Sequence, residues 1–420
     1  MSSPVVDPAG APGPVPLVVR TVEIDDPGPL LALLPRDEAL AWVHHGDGLV
    51  GWGRAAVHSG RGPERFTRAH AWWREVTRHS VVRDEVGLPG SGLVAFSTFA
   101  FHDADPGSLL VVPQVVVGRR DGRAWVTVIG TSISSAPELA PHEPANEPRL
   151  VGLRDGSVAA DAWLDVVAEA VDRIQAGRLD KVVLARDVVA DLAEPLDVRA
   201  PLQRLAASYP GCWTFVVDDF FGSTPEMLVR LERGLVTSRV LAGTIRRTGD
   251  DTHDLTLAAS LARSSKDLEE HEYAVRSVVE ALAPFCTSTN VPEAPFVLHL
   301  PNVMHLATDV TGVVAGDVSA LTLASALHPS AAVGGTPRAE AVSLIREIEG
   351  LDRGRYAGPV GWVGAGGDGE LGIALRSGAV ADDGLSVRLF AGCGIVADSV
   401  PEEELAEARA KLVPVRDALS

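Results

Sequence analysis

The chain has 420 residues, room for one large domain or up to three small ones at roughly 150 residues each, and ample for a buried core. Hydrophobic residues make up 46% and charged residues 22%, with Gly 41 and Pro 29, a globular composition that excludes collagen-like and disordered classes. Lys and Arg number 37 against 56 Asp and Glu, a formal net charge of -19; so anionic a surface repels phosphate backbones and acidic lipid, which argues against nucleic-acid and membrane partners.

Residues 1–17 carry Pro4, Pro8, Pro12, Pro14 and Pro16 and no Lys or Arg. They fit neither a secretory nor a mitochondrial signal and are expected to form a disordered tail. No run approaches the ~18 consecutive apolar residues of a membrane span. Cys212, Cys286 and Cys393 lie far apart, so a reduced, cytoplasmic protein is expected. Apolar and β-branched runs at 49–52, 92–101, 108–117 and 123–129 predict strands, and 65–80 suits an amphipathic helix. In 135–148 the four prolines Pro137, Pro141, Pro144 and Pro148 sit among Glu and Ala without apolar period, which predicts a linker or long surface loop.

From residue 160 the pattern sharpens. Trp163, Val166, Val167, Ala170, Val171 and Ile174 recur at helical spacing, with Gly177 as the stop. A strand over 181–189 follows, and period two puts Lys181, Val183, Ala185 and Asp187 on one face. Residues 226–231 and 235–241 flank the turn Glu232, Arg233, Gly234 and predict a hairpin. Residues 267–282 read as a helix with an acidic first turn, 358–363, 370–377 and 386–390 as strands, and 401–413 as a helix opened by Pro401. Strands outnumber helices and hairpins imply antiparallel pairing, so the fold class is α+β.

Standard motifs are missing where they would decide the chemistry. GAGGDG at 364–369 matches G-x-G-x-x-G but lies between two strands with no helix after it, so a hairpin turn explains it better than a phosphate cradle. His271 and Glu272 begin an H-E-x-x-H pattern that fails at Val275, no Cys pair has metal spacing, and no G-x-S-x-G occurs. Zinc, nucleotide and serine-hydrolase chemistry lose support.

Other constellations carry more. Glu404, Glu407 and Lys411 share one face of the last helix, and Lys266, Glu270 and Tyr273 one face of the earlier one. Each face is either a solvated salt-bridged surface or, jointly, a carboxylate site for a hard cation, Mg²⁺ above others. VLAGTIRR (240–247) and LFAGCGIV (389–396) are each expected to leave a strand with glycines that either turn the chain or expose N–H groups to an anion. Arg376, among apolar neighbours in a predicted strand, must pair with an acid or hold an anionic ligand. A lysine such as Lys181, facing a desolvated pocket, can serve as a general base, although most such lysines snorkel to the surface. Glu226, if buried, would have a raised pKa and act as an acid; otherwise it is a strand-end charge. His305 reads as a core histidine and His328 as a loop residue.

Taken in order, KVVLARD, GSTPEML, VLAGTIRR, SSKDLEEHEYAV, MHLATDVTG, LHPSAAVGGTPR, YAGPVGW and LFAGCGIV followed by EEELAEARAKL resemble the chorismate-utilising enzymes, and among them the isochorismate synthases, over about residues 155–415. The resemblance implies a two-lobed α/β sandwich with large antiparallel sheets and flanking helices. Residues 18–150 would form its variable N-terminal part and 151–420 its chorismate-binding catalytic region. It further implies that Lys181 activates a water that attacks C2 of chorismate and that Glu226 protonates the departing C4 hydroxyl. Glu270 and Glu407 would hold Mg²⁺, with Glu404 behind these ligands or reaching the ion through a water. Arg376, Lys411 and the backbone around Gly243, Thr244, Gly392 and Gly394 would bind the substrate carboxylates, His305 would line the ring pocket, and Tyr356 would reach the enolpyruvyl carboxylate.

Within the family, the para-aminobenzoate branch carries a nucleophilic lysine where Ala242 stands, and the anthranilate branch usually lacks the lysine matched by Lys181. Salicylate synthases share Lys181 and Glu226 but usually have threonine at the position of Ala332, so Ala332 favours release of isochorismate. Ser330 departs from the commoner threonine. The rivals are a salicylate synthase, which goes on to eliminate pyruvate, and a catalytically silent chorismate-binding protein, which would have no use for an opposed base and acid. A monomer acting on a small molecule is expected.

Overall fold

The computed structural model describes residues 15–132, 139 and 143–420, with the side chains of Lys266 and Glu270 outside the description. Of the expected tail, residues 1–14 fall outside. Leu17 is buried, and its carbonyl accepts a hydrogen bond from Val81 N–H at 2.8 Å, so the chain is anchored one residue before its first strand, Val18–Ile24. Residues 133–138 and 140–142 of the proline-rich stretch are likewise outside. Beyond them the backbone of Glu143 and Asn146 bonds to Arg199 and Asp197.

Two large, mostly antiparallel sheets face each other, one of 13 strands and one of 10 among the described residues. Central strands such as Val94–Thr98, Trp213–Val217 and Phe220–Thr224 are buried along their whole length. Trp42, Trp125, Phe96 and Phe215 are among the fully buried side chains, each removing 150–250 Å² from water in the manner typical of aromatic residues. Segments 18–150 and 151–420 share both sheets: Trp213–Val217 pairs with Leu40–His44 in the larger, and Pro359–Gly364 with Val94–Thr98 in the smaller. The fold is α+β, with helices packed around the sheets.

Most of the predicted elements form. The helix Ala160–Gln175 ends before Gly177, whose φ of +72° is the left-handed stop that glycine permits. The hairpin of Met227–Glu232 with Leu235–Arg246 turns on Arg233 and Gly234, both at positive φ (49° and 81°), which gives the strands their proper twist.

Two long predicted strands are broken instead. The 108–117 run divides at Pro113 into Ser108–Val112 in the smaller sheet and Val115–Arg120 in the larger, since proline cannot continue the ladder. The 370–377 run divides into Gly369–Ile373 in the smaller sheet and Ser377–Val380 in the larger. Arg376 therefore lies in a crossing between sheets at φ 48°, and not inside a strand as its apolar neighbours suggest. A third crossing, at Pro225 and Glu226, joins Phe220–Thr224 of the larger sheet to Met227–Glu232 of the smaller.

Candidate active site

The last two crossings lie side by side, stitched by hydrogen bonds from Ser223 N–H to Arg376 C=O (3.1 Å), Ile373 N–H to Glu226 C=O (3.0 Å) and Thr224 Oγ1 to Ile373 C=O (2.6 Å). Because the ladders of both sheets are interrupted here, the Glu226 and Arg376 side chains enter the seam between the sheets. A cavity of about 310 Å³ opens at that point. Lys181 reaches it from the first residue of the strand Lys181–Leu192 and is 2% exposed. Its edge partner is the short Gly335–Thr336 strand, so Lys181 and the loop bearing Ala332 border the same space.

Gly243, Thr244, His305, Tyr356, Gly392, Gly394, Glu404, Glu407 and Lys411 border the cavity too. Of the residues singled out from the sequence, Glu270 and Lys266 cannot be placed: both lie on the helix Ser265–Leu282, and their side chains are outside the described residues. The two glycine segments do not leave strands, contrary to expectation. Gly243, at φ 74°, makes a bulge inside Leu235–Arg246, where a Cβ would sit 3.0 Å from Asp267 Cβ. Gly392 and Gly394 pair with Ala185 and Val183 inside the strand Ser386–Ile395. The neighbouring strand stops pairing after Phe390, which leaves one edge of 391–395 open toward the cavity.

Charge in the cavity is arranged unevenly. Burial raises the Glu226 carboxyl to about 7, although the Leu241 N–H and the cations Lys181, Arg376 and Lys411 oppose the shift. The buried Arg376 is lowered by burial and forms no ion pair among the described residues; Tyr356, Cys212, Glu407 and Glu226 act on it from farther away. Lys411 Nζ contacts Glu407 at 2.5 Å and donates to Gly392 C=O at 3.0 Å; against the pull of burial, Glu407 and then Cys393 leave it above its usual value. Burial and the neighbouring Glu407 raise Glu404, which accepts from Ser399 Oγ at 2.7 Å.

Burial first, then Arg376 and Lys411, hold His305 well below its ordinary range, so it is neutral. Its Nδ1 lies 3.1 Å from Thr244 Oγ1, while Nε2 is buried with no hydrogen-bond partner among the described residues. Tyr356 stacks on Phe390 at 5.2 Å. His328, expected in a loop, lies in a bend just after the helix Ala320–Leu327 and is buried there, with Nε2 2.9 Å from Phe101 C=O.

Among the described residues no three His, Cys, Asp or Glu side chains converge closely enough to hold a cation. Glu404 and Glu407 nevertheless fit one in part, because burial and then the neighbouring Glu407 raise the Glu404 carboxyl, a cost that a divalent ion would relieve. Asp267 borders the cavity as a further carboxylate. Its helix starts beside the site because Ser264 accepts from Asp267 N–H at 3.2 Å. Its spacing of three before Glu270 was the available sequence signal.

The fold of two facing sheets is shared by known proteins. The model of the chorismate binding enzymes matches residues 37–420, and the chain belongs to that family. It is 33% identical over 438 residues to a salicylate biosynthesis isochorismate synthase of Pseudomonas aeruginosa, covering 96% of this chain and 90% of that one. It is 29% identical over 405 residues to an isochorismate synthase, MenF, of Bacillus subtilis, covering 88% of this chain and 85% of that one. Among solved structures, a putative 2,3-dihydroxybenzoate-specific isochorismate synthase of Bacillus anthracis superposes with a TM-score of 0.76 at 29% identity, covering 93% of this chain and 98% of that one. The fold also matches anthranilate synthase component I of Streptococcus pneumoniae, with a TM-score of 0.64 at 19% identity over 99% and 95%.

Proposed function

We propose that this enzyme converts chorismate to isochorismate. The observation that carries the reading is the meeting of buried Lys181 and Glu226 in one cavity with Arg376, a buried cation that has no ion-pair partner among the described residues. A buried guanidinium in that state calls for an anionic ligand, and chorismate is a dianion. Arg376 and Lys411, with the backbone around Gly243, Thr244, Gly392 and Gly394, hold its two carboxylates. Tyr356 flanks the enolpyruvyl group, and the free Nε2 of neutral His305 meets the ring.

In the reaction Lys181 takes a proton from a water as its oxygen bonds to C2. The ring double bonds shift, the C4–O bond breaks, and Glu226 gives its proton to the departing hydroxyl, which leaves as water. One water enters and one leaves, so the net change is an isomerisation. A carboxyl held near 7 is matched to this role because an appreciable part of it stays protonated at neutral pH. Glu407, Glu404 and Glu270, with Asp267 close by, would hold Mg²⁺, which supplies charge neutralisation for the ring carboxylate. Ala332 places no hydroxyl at the ring wall, which favours release of isochorismate over elimination of pyruvate.

The test is incubation with chorismate and Mg²⁺, chromatography of the ring product and a lactate-dehydrogenase-coupled pyruvate assay. An equilibrium mixture of chorismate and isochorismate is expected. Stoichiometric pyruvate with salicylate would move the protein to the eliminating branch, and unchanged chorismate would leave it a binder.

A further inference from the structure

Behind Lys181 lies an ion pair to which the reaction assigns nothing. Glu349 and Arg353 are each 0% exposed. Arg353 grips Glu349 with two parallel hydrogen bonds, Nε to Oε1 at 2.7 Å and Nη2 to Oε2 at 2.5 Å. The remaining capacity of both side chains goes to backbone of two separate segments. Arg353 donates to Val183 C=O at 2.7 Å and Val333 C=O at 3.0 Å, and Glu349 Oε2 accepts from Ala185 N–H at 2.8 Å. The guanidinium packs over the Phe101 ring at 4.2 Å.

Those contacts fall on two structures that define the cavity. Val183 and Ala185 follow Lys181 on its strand, and Val333 follows Ala332 in the loop opposite. The loop joins the Lys181 end through Val183 N–H to Gly334 C=O (2.9 Å) and Asp180 N–H to Thr336 C=O (2.8 Å). The approach is so close that a Cβ on Gly335 would lie 2.2 Å from Lys181 C=O. A buried ion pair is a poor source of stability, since well-packed apolar residues do as well, but its fixed fork geometry sets distances between the segments it bridges.

We propose that Glu349 and Arg353 are positioning residues that fix the distance between Lys181 and the loop carrying Ala332, and so hold the base in register with the ring. The proposal rests on the assignment of Lys181 as base. Arg353 borders the cavity but has no exposed surface, so it acts through the backbone and not on the substrate.

Arg353→Lys and Glu349→Asp keep both charges but cannot span all the acceptors and donors at once. The double variant Glu349→Leu/Arg353→Met replaces the pair by apolar packing. Each variant that melts cooperatively is expected to show kcat lowered about 10-fold or more, because small misplacements of a base are costly. KM should stay within about twofold, since Arg376 and Lys411 are carried by other elements. A merely structural role would lower the melting temperature and leave kcat per folded molecule unchanged. Native kcat in any one folded variant overturns the proposal, as does loss of folding in all three, which would make the pair a stability element. Failure of the functional reading looks different: the unmodified protein then makes no isochorismate, or Lys181→Ala turns over as fast as the parent.

Discussion

Replacing Glu226 by Gln should separate catalysis from stability in opposite directions. The carboxyl is 4% exposed and shifted from 4.5 to about 7 by burial. At ~1.36 kcal/mol per unit, a shift of roughly 2.5 units amounts to about 3 kcal/mol. The sign follows from proton binding. Between pH 4.5 and 7 the folded chain keeps a proton that the unfolded chain has released, so stability falls as pH rises. Below that window the cost is absent and above it complete. Glu226→Gln removes the titration, so urea unfolding should show the variant gaining on the parent as pH rises from 4 to 8, by at most about 3 kcal/mol. Its kcat should fall by about 10² or more, because the leaving hydroxyl has lost its proton donor. In the parent, kcat/KM should decline above pH 7 as the acid ionises. Near-native turnover in the variant, or a stability difference that does not change with pH, would refute the assignment of Glu226 as a buried acid.

Lys181→Ala should lower kcat by about 10² or more with KM changed little, since the carboxylate contacts remain; steady-state kinetics on chorismate checks it. Chelation should abolish turnover and Mg²⁺ restore it, and Glu407→Ala should raise the Mg²⁺ concentration needed for half-maximal rate by about 10-fold or more; full activity in excess chelator sinks the metal assignment. Ala332→Thr should gain a small release of pyruvate in the coupled assay, because a hydroxyl at the ring wall can hold the intermediate long enough to react; an unchanged zero would remove Ala332 from the account of product choice.

How far the site was legible depends on whether its residues sit in periodic segments. Period two on KVVLARD was enough to aim Lys181 and Val183 at one space, and helical spacing was enough to join Glu404, Glu407 and Lys411. The break at Arg376 was not legible. An apolar run looks the same whether it continues in one sheet or crosses to the other, and only the partner strands, Met227–Glu232 for Gly369–Ile373 and Phe220–Thr224 for Ser377–Val380, decide it. The crossing at Pro113 did carry a local signal in the proline itself. Glycines at 392 and 394 suggested an exit from the strand, whereas Gly392 is required because a Cβ there would meet Leu184 C=O at 2.6 Å. Glu349 and Arg353 left no trace beyond helical spacing, because their targets are backbone atoms far away in sequence.

The crossings also explain how a chain of net charge -19 can hold a dianion. Surface carboxylates are screened within roughly 10 Å at ordinary salt, so the field at the seam is set by what the crossings and the neighbouring strands bury there. Arg376, Lys411 and Lys181 stand in or beside a cavity whose acids are unequal: Glu226 near 7, Glu404 raised by burial and then by Glu407, and Glu407 engaged with Lys411. With Glu226 protonated, it places no negative charge in competition for Arg376, which has no ion-pair partner among the described residues. Once Glu226 gives up its proton, its anion faces the same Lys181, Arg376 and Lys411 that lower the cost of its ionisation. In the proposed reaction, binding and proton donation would therefore draw on one set of cations, and Arg376→Ala would disturb both.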